Sequence, residues 1–484
     1  VRNWYIDLWL TLLVMGIRNS EKRTETPIYL EWSILLFGII FLVFLVLVSY
    51  SVRPCSDDLY FYAEFLDKGW FSSIWEMGTN IRFTGFLVFN TLCLLVSDFQ
   101  DFPLIFFVFY LLLFSFLLFS TYRLIKTLFI HFFQAENTTC LQVFNLSLLF
   151  TAAFYFSTIN AQEVWFWTIA TTIYLLPIPL LFLAISELIK YRTKRSYLTS
   201  GILFFLIGGM VENLVLTVVS IVLVVGFYKW LQSRKIDWRL PLSILALLIL
   251  PFLSIVHSGL GKRIKNEAYY SVENGIFKTL YSDYDFGLNY NRLTMILIIL
   301  ILIFYMANRI KDQVKQPSWN VKKMLLLSVI ILIVSFITTF LPMFYVYGNF
   351  GPARASLPFF LVLIILIFCW TFLLGLKYQV NRIYFFPVSI FAILMIGFFS
   401  FNQQIKTSHF AQEYDNRVEQ IIKQKNSKAQ FLVAKPLPDS GVIPSQELNK
   451  LGETPAMTSY YLGRVNGINK DVYLDTSLLK KSEK

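Results

Sequence analysis

Apolar residues run through this chain in long blocks separated by short polar segments. The blocks lie at roughly 30–52, 102–122, 140–157, 171–189, 197–211, 213–230, 240–258, 292–309, 323–344, 357–376 and 385–402. Coiled at about 1.5 Å per residue, runs of this kind cross about 30 Å of hydrocarbon. The pattern predicts an all-α integral membrane protein, a multispanning bundle of eleven transmembrane helices. One further block, "IRFTGFLVFNTLCLLV" at 81–96, is sixteen residues long and bounded by Arg82 at one end and by Asp98 and Asp101 at the other. It is predicted to re-enter the membrane or to lie in the outer leaflet. The stretch 197–230 is predicted to be two short helices meeting at "GGMVEN", with Glu212 at the tip. Broken backbone at membrane depth is tolerated where it lines a cavity.

The two ends of the chain differ from this centre. Residues 1–29 form a cytoplasmic or interfacial N-terminal segment. "WYIDLWLTLLVMGIR" is short, contains Asp7, and is followed by charge instead of a small-residue cleavage site, so it does not read as a signal peptide. The membrane domain is 30–402. Residues 403–484 form a small extracytoplasmic C-terminal domain: a polar helix with spaced Ile and Val, a short strand within "FLVAKPLPDSGVIP", and a turn-rich end.

Composition supports the membrane class, with 56% hydrophobic residues and 49 phenylalanines. The chain carries 42 Lys and Arg against 30 Asp and Glu, a net charge of +12. These cations sit in short clusters between apolar blocks, so they set orientation and do not mark a nucleic-acid surface. "IRNSEKR", "TYRLIK", "KYRTKR", "KWLQSRK", "RIKDQVK" and the region of Lys377 and Arg382 are assigned to the cytoplasmic side. An odd number of crossings then leaves the C-terminus outside. The four cysteines, Cys55, Cys93, Cys140 and Cys369, show no metal-like spacing, and there are only three histidines. Neither a metal site nor a disulfide framework is predicted. Abundant Lys, Ile, Phe, Tyr and Asn fit an AT-rich bacterial genome, and hence the bacterial inner membrane.

With this topology, the charged residues near apolar surroundings collect on the outer face. They are Asp57 and Asp58 in "SDDLYFY", Arg82, Glu163 in "INAQEVWFWTIATTIYLLP", Glu212, Lys262 and Arg263 in "HSGLGKR", and Arg354 in "YVYGNFGPARASLP". Charges in or beside spans mark substrate paths. A carboxylate accepts a proton from a hydroxyl nucleophile, and Arg binds phosphate through a two-pronged fork. The combination points to attack on a phosphate-activated group. Each residue also has a plainer reading. Glu163 beside Trp165 and Trp167 fits an interfacial belt, Asp57, Asp58, Lys262 and Arg263 fit solvated loops, Arg354 fits snorkelling, Glu212 fits a helix cap, and His257 fits a structural role.

The acidic pair after the first span, the following "NIRFTGF", the acidic-aromatic "QEVWFWTIATTIYLLP" and the "GGMVEN" break together resemble the polytopic GT-C fold glycosyltransferases that use polyprenyl-phosphate-linked sugars. The resemblance covers about residues 30 to 376 and is to an uncharacterised bacterial branch, whose proline-glycine-asparagine-like turn before an Arg reads "HSGLGKR" here. It implies that Asp57 is the general base, that Asp58 orients the acceptor or supports the loop, and that Glu163 is the second-loop acid. It also implies donor-phosphate contacts from Arg354, Arg263 and Lys262, with Arg82, Glu212, Trp165 and Tyr174 around the cavity. The donor is a polyprenyl-phosphate sugar, the acceptor a surface glycan or glycopolymer, and the displacement inverting. No cofactor is required, although a divalent cation is used by some members. Two rival classes share the membrane setting: a polysaccharide polymerase or ligase, whose arginines concentrate in a large late outer loop, and a lipid-linked sugar transporter or flippase, which more often shows internal repeats. No repeat is found in this chain.

Overall fold

The computed structural model describes residues 29–78, 82–135, 138–190, 194–235, 237–256, 290–314, 321–347, 352–378, 385–426, 430–444, 448, 457–468 and 470–474. The N-terminal segment 1–28, His257, Lys262 and Arg263 lie outside these residues.

The described chain is helical almost throughout. Helix α1 (Tyr29–Tyr50) is followed by α2 (Asp57–Gly78), α3 (Phe83–Cys93), α4 (Phe102–Phe132) and α5 (Cys140–Ser157). Two π-helical segments, Gln162–Phe166 and Thr171–Leu175, flank the single turn Thr168–Ala170. Then come α6 (Pro177–Lys190), α7 (Lys194–Gly208), α8 (Glu212–Ser233), α9 (Arg239–Val256), α10 (Tyr290–Ile310), α11 (Val321–Tyr347), α12 (Leu357–Lys377) and α13 (Phe385–Lys423). Strand β1 (Leu432–Ala434), helix α14 (Met457–Val465) and strand β2 (Val472–Leu474) complete the order.

Among the described residues, nine helices are long and apolar enough to cross a membrane. Helix α1 illustrates the cause. Its 22 residues carry one charge, Glu31, and reach about 33 Å. Helix α3, eleven residues long, falls short of a crossing, as expected for the 81–96 block. The predicted crossings 197–211 and 240–258 are represented by shorter apolar helices, Ser196–Gly208 and Arg239–Phe252. Helix α7 stops where Gly209 approaches α3 so closely that the Thr84 amide donates to the Gly209 carbonyl at 2.7 Å. A Cβ on Gly209 would collide with the Thr84 side chain, so the close contact between the α7–α8 break and α3 requires glycine.

The core is aromatic. Trp165 packs against Phe114, Phe154 and Tyr155 with ring centroids 5.1–5.9 Å apart, and Phe44 and Phe156 both meet Phe399 of α13. Aliphatic and aromatic side chains such as Leu36, Leu47, Leu112, Leu326 and Leu394 remain exposed, the surface that faces lipid in a membrane protein.

Polar contacts sort into two opposite ends of the bundle. At one, Glu31 meets Arg309 and Gln142, Arg123 meets Glu187, Lys229 meets Asp237, and the Lys311 ammonium donates to the Lys377 carbonyl. This basic end gathers cations from clusters assigned above to the cytoplasm. At the other lie the start of α2, the π-helical segments, the α7–α8 break and the start of α12. Helix α13 continues unbroken past position 402 on this side for 39 residues in all. Beyond it, β1 and β2 pair in parallel, Val433 opposite Tyr473. A parallel pair needs a crossover, and α14 lies within it, packed on α2 through Tyr461 and Tyr60 at 5.3 Å.

Candidate functional site

The two aspartates of "SDDLYFY" open helix α2, where free backbone N–H groups favour negative charge. Their side chains part company. Asp58 is 1% exposed; it accepts hydrogen bonds from the Ile169 amide at 2.8 Å and the Cys55 amide at 3.3 Å. It thereby ties the loop after α1 to the turn between the π-helical segments. Ser56, just before the pair, has φ +37°, a strained value for a non-glycine residue that turns the chain sharply into α2.

Asp57 is only partly buried and lies within electrostatic range of Arg354, Arg82 and Glu163. Burial lifts its carboxyl above the ordinary aspartate value, against the opposing pull of the Arg354 guanidinium, the Ser56 hydroxyl and Arg82. A carboxylate so placed is a stronger base than a solvated one.

Arg354 lies in a short 3₁₀ turn, Ala353–Ser356, directly before α12. Its Nη1 donates to Glu163 Oε2 at 2.9 Å, and its guanidinium stands 4.8 Å from the centre of the Trp167 ring. Both members of the pair keep about a quarter of their side-chain surface exposed, so the guanidinium is held without being sealed off. Nearby, Arg82 lies 3.7 Å from Glu212 and 5.8 Å from the Tyr174 ring centre. Five charged residues scattered between positions 57 and 354 therefore gather in one place: a partly exposed carboxylate and two guanidinium–carboxylate pairs. Among the described residues, no group of three His, Cys, Asp or Glu side chains is placed to hold a metal ion.

Two expectations change in detail. Trp165 does not line this cluster. It is fully buried in the aromatic core, its indole N–H donating to the Thr158 hydroxyl at 3.2 Å, and Trp167 takes the place beside Arg354. In "VWFW" the π-helical segment ends at Phe166, so Trp165 lies within the buried core while Trp167, with extended backbone, is only partly buried and packs at the core's edge beside Arg354. Asp58, expected to orient the acceptor or support the loop, is placed for the second role alone, since its oxygens are spent on two amides and shielded from solvent.

Several supporting residues escaped the sequence. The Arg53 guanidinium makes a two-pronged pair with Asp415, at 2.7 and 2.6 Å. The Tyr414 hydroxyl donates to the Pro54 carbonyl at 2.8 Å, and the Gln162 amide donates to the Gly441 carbonyl at 2.6 Å. Helix α13 and the segment after it thus hold both loops that present Asp57 and Glu163. Arg292, at the start of α10, donates to the Thr158 carbonyl at 3.1 Å. Nothing local announces these four contacts, because each joins residues more than 100 positions apart.

Burial pushes the Asp58 carboxyl up to about 8, even though the Ile169 and Cys55 amides favour its charged form. The folded state therefore holds this proton more tightly than the unfolded chain. Its stabilising contribution is fully present below the unfolded value of 3.8 and is lost as pH rises through about 8. Thermal unfolding of the detergent-solubilised protein is expected to show this fall in stability over that window, and Asp58→Asn should flatten it. An identical pH profile in the variant would refute the assignment.

Comparison of the chain with protein-family models, with curated proteins and with solved structures gives no match.

Proposed function

We propose that this membrane protein is a glycosyltransferase of the GT-C type, with eleven crossings, that moves a sugar from a polyprenyl-phosphate donor to a glycan or glycopolymer on the outer face of a bacterial inner membrane. The observation that carries the reading is the partly buried, proton-hungry Asp57 beside an Arg354 guanidinium held in place by Glu163. This pairs a base with a phosphate-directed cation in one cluster.

In the proposed step, the acceptor hydroxyl oxygen attacks the anomeric carbon while the bond from that carbon to the phosphate oxygen breaks. The bonding electrons leave with the phosphate, and the hydroxyl proton passes to Asp57. A single displacement inverts the anomeric centre. Arg354 meets the negative charge growing on the departing phosphate, a preorganised contact that strengthens in the transition state. Glu163 positions Arg354, Arg82 with Glu212 adds a second ion pair to the cluster, and Asp58 fixes the loop that carries Asp57. Lys262 and Arg263 are proposed as further phosphate contacts on the resemblance alone.

Incubation of the purified protein with radiolabelled polyprenyl-phosphate sugar and a surface-glycan acceptor tests the reaction. Label transferred to the acceptor supports it, whereas label moved across a vesicle membrane without transfer supports a transporter. Orientation has its own test. The clusters at the basic end favour the cytoplasm, which supports an outside position for the cluster around Asp57 and the segment after α13. Cysteines introduced singly at the exposed positions Lys435 and Lys322, in a background lacking the native ones, separate the two sides. A membrane-impermeant thiol reagent on intact cells is expected to label position 435 and spare 322, and the reverse pattern would invert the topology.

A further inference from the structure

A recess separate from the Asp57–Arg354 cluster lies at the same end of the bundle. It is a groove of about 430 Å³ where the end of α1, the start of α4 and the extension of α13 meet. That size falls within the range of small-molecule pockets. Its lower rim is apolar and open, with Tyr50 63% and Leu104 58% exposed. Its upper rim is polar, formed by exposed Gln100, Asp415 and Glu419. The groove shares none of the Asp57–Arg354 cluster, yet Arg53 and Pro54 in its wall belong to the loop that ends at Asp57.

We infer that this groove binds the head group of a glycolipid bearing an uncharged sugar. The two rims match an amphiphile at the bilayer surface, with chains along Leu104 and the head between the polar side chains. Charge then selects the head. The Arg53 side chain is 10% exposed, and its nitrogens are engaged with both Asp415 oxygens and with the Tyr50 and Val52 carbonyls, each at 3.0 Å. Its charge is matched within the protein and is not offered to a phosphate.

What the groove does offer is acceptors. An ionised carboxylate accepts about four hydrogen bonds, so Asp415 retains capacity after Arg53, and Glu419 adds a second carboxylate partnered at its edge by Lys423 at 3.4 Å. An anionic head would face both carboxylates. An aminophospholipid would bring its phosphate against Asp415. Sugar hydroxyls donate to such a rim without that penalty. The Tyr50 ring, fixed edge-on by Phe107 at 5.4 Å, presents an apolar face to the C–H side of a sugar ring.

The test is a lipid-retention measurement on the full chain, independent of transfer. The protein is reconstituted in nanodiscs containing equal parts monoglucosyl diacylglycerol, phosphatidylethanolamine and phosphatidylglycerol, then released and weighed by native mass spectrometry. The glucosyl lipid is expected to be retained about tenfold over either phospholipid, the effect of one or two hydrogen bonds to a carboxylate. Tyr50→Ala and Glu419→Gln, which spare the Arg53–Asp415 pair, should each reduce that preference, and Arg354→Ala should not. Equal retention of the three lipids, preference for either phospholipid, or an unchanged preference in both groove variants would overturn the inference. Selective retention in a protein that performs no sugar transfer would leave the groove standing and remove the transferase reading alone.

Discussion

Asp57→Asn is expected to lower sugar transfer by about a hundredfold or more while donor binding survives, because the amide preserves size and most hydrogen bonding but cannot accept the acceptor's proton. The neighbouring Asp58→Asn is the comparison: burial pushes that carboxyl up to about 8, so the change removes a protonated group and not a charge at neutral pH. It should act through stability, since Asp58 accepts from the Ile169 and Cys55 amides and is closed to substrate. The two variants are thus separated by what they change: turnover at normal stability for Asp57, stability and its pH dependence for Asp58. The pH profile of transfer adds a second readout. The base works deprotonated, and burial raises its carboxyl above the ordinary value, so activity should rise with pH through a point higher than that of a solvated aspartate. Full activity in the Asp57→Asn, Asp58→Asn double variant would remove the proposed mechanism.

Arg354→Lys is expected to reduce transfer by about tenfold to a hundredfold despite the retained charge, because an ammonium reproduces neither the planar fork nor its geometry over an aromatic face. Here the fork donates to Glu163 at 2.9 Å while the guanidinium sits over Trp167. Glu163→Gln should therefore weaken transfer through a mispositioned Arg354, and the double variant should cost less than the sum of the two single changes. Normal transfer by a well-folded Arg354→Ala protein would reduce this residue to an anchor before the start of α12. Additive losses in the double variant would separate Glu163 from Arg354 and leave each with its own role.

The sequence carried the architecture because membrane helices are specified locally. A run of apolar residues as long as the bilayer is thick has to satisfy its own backbone hydrogen bonds, and a helix does so within the segment. This is why the predicted blocks coincide with helices and why "GGMVEN" marks a break. The alternation of basic and acidic connections also foretold that Asp57, Arg82, Glu163, Glu212 and Arg354 share one end, since successive helices reverse direction. The short α7 and α9 were less legible. The end of α7 is set by the approach of Gly209 to Thr84, a tertiary contact.

The division of labour within the site was decided by the fold alone. Asp57 and Asp58 are adjacent and chemically identical, and what distinguishes them is the Ile169 amide, 111 positions away, which takes one and leaves the other facing Arg354. Trp167, and not the expected Trp165, stands beside Arg354 because a π-helical segment ends between them. The pairing of Arg354 with Glu163 spans 191 positions, and that of Arg53 with Asp415 spans 362. Hydrophobic length and charge alternation are properties of neighbours along the chain and so are written in the sequence. The direction of a side chain and the partner it meets depend on how distant segments pack, and only the tertiary structure fixes these.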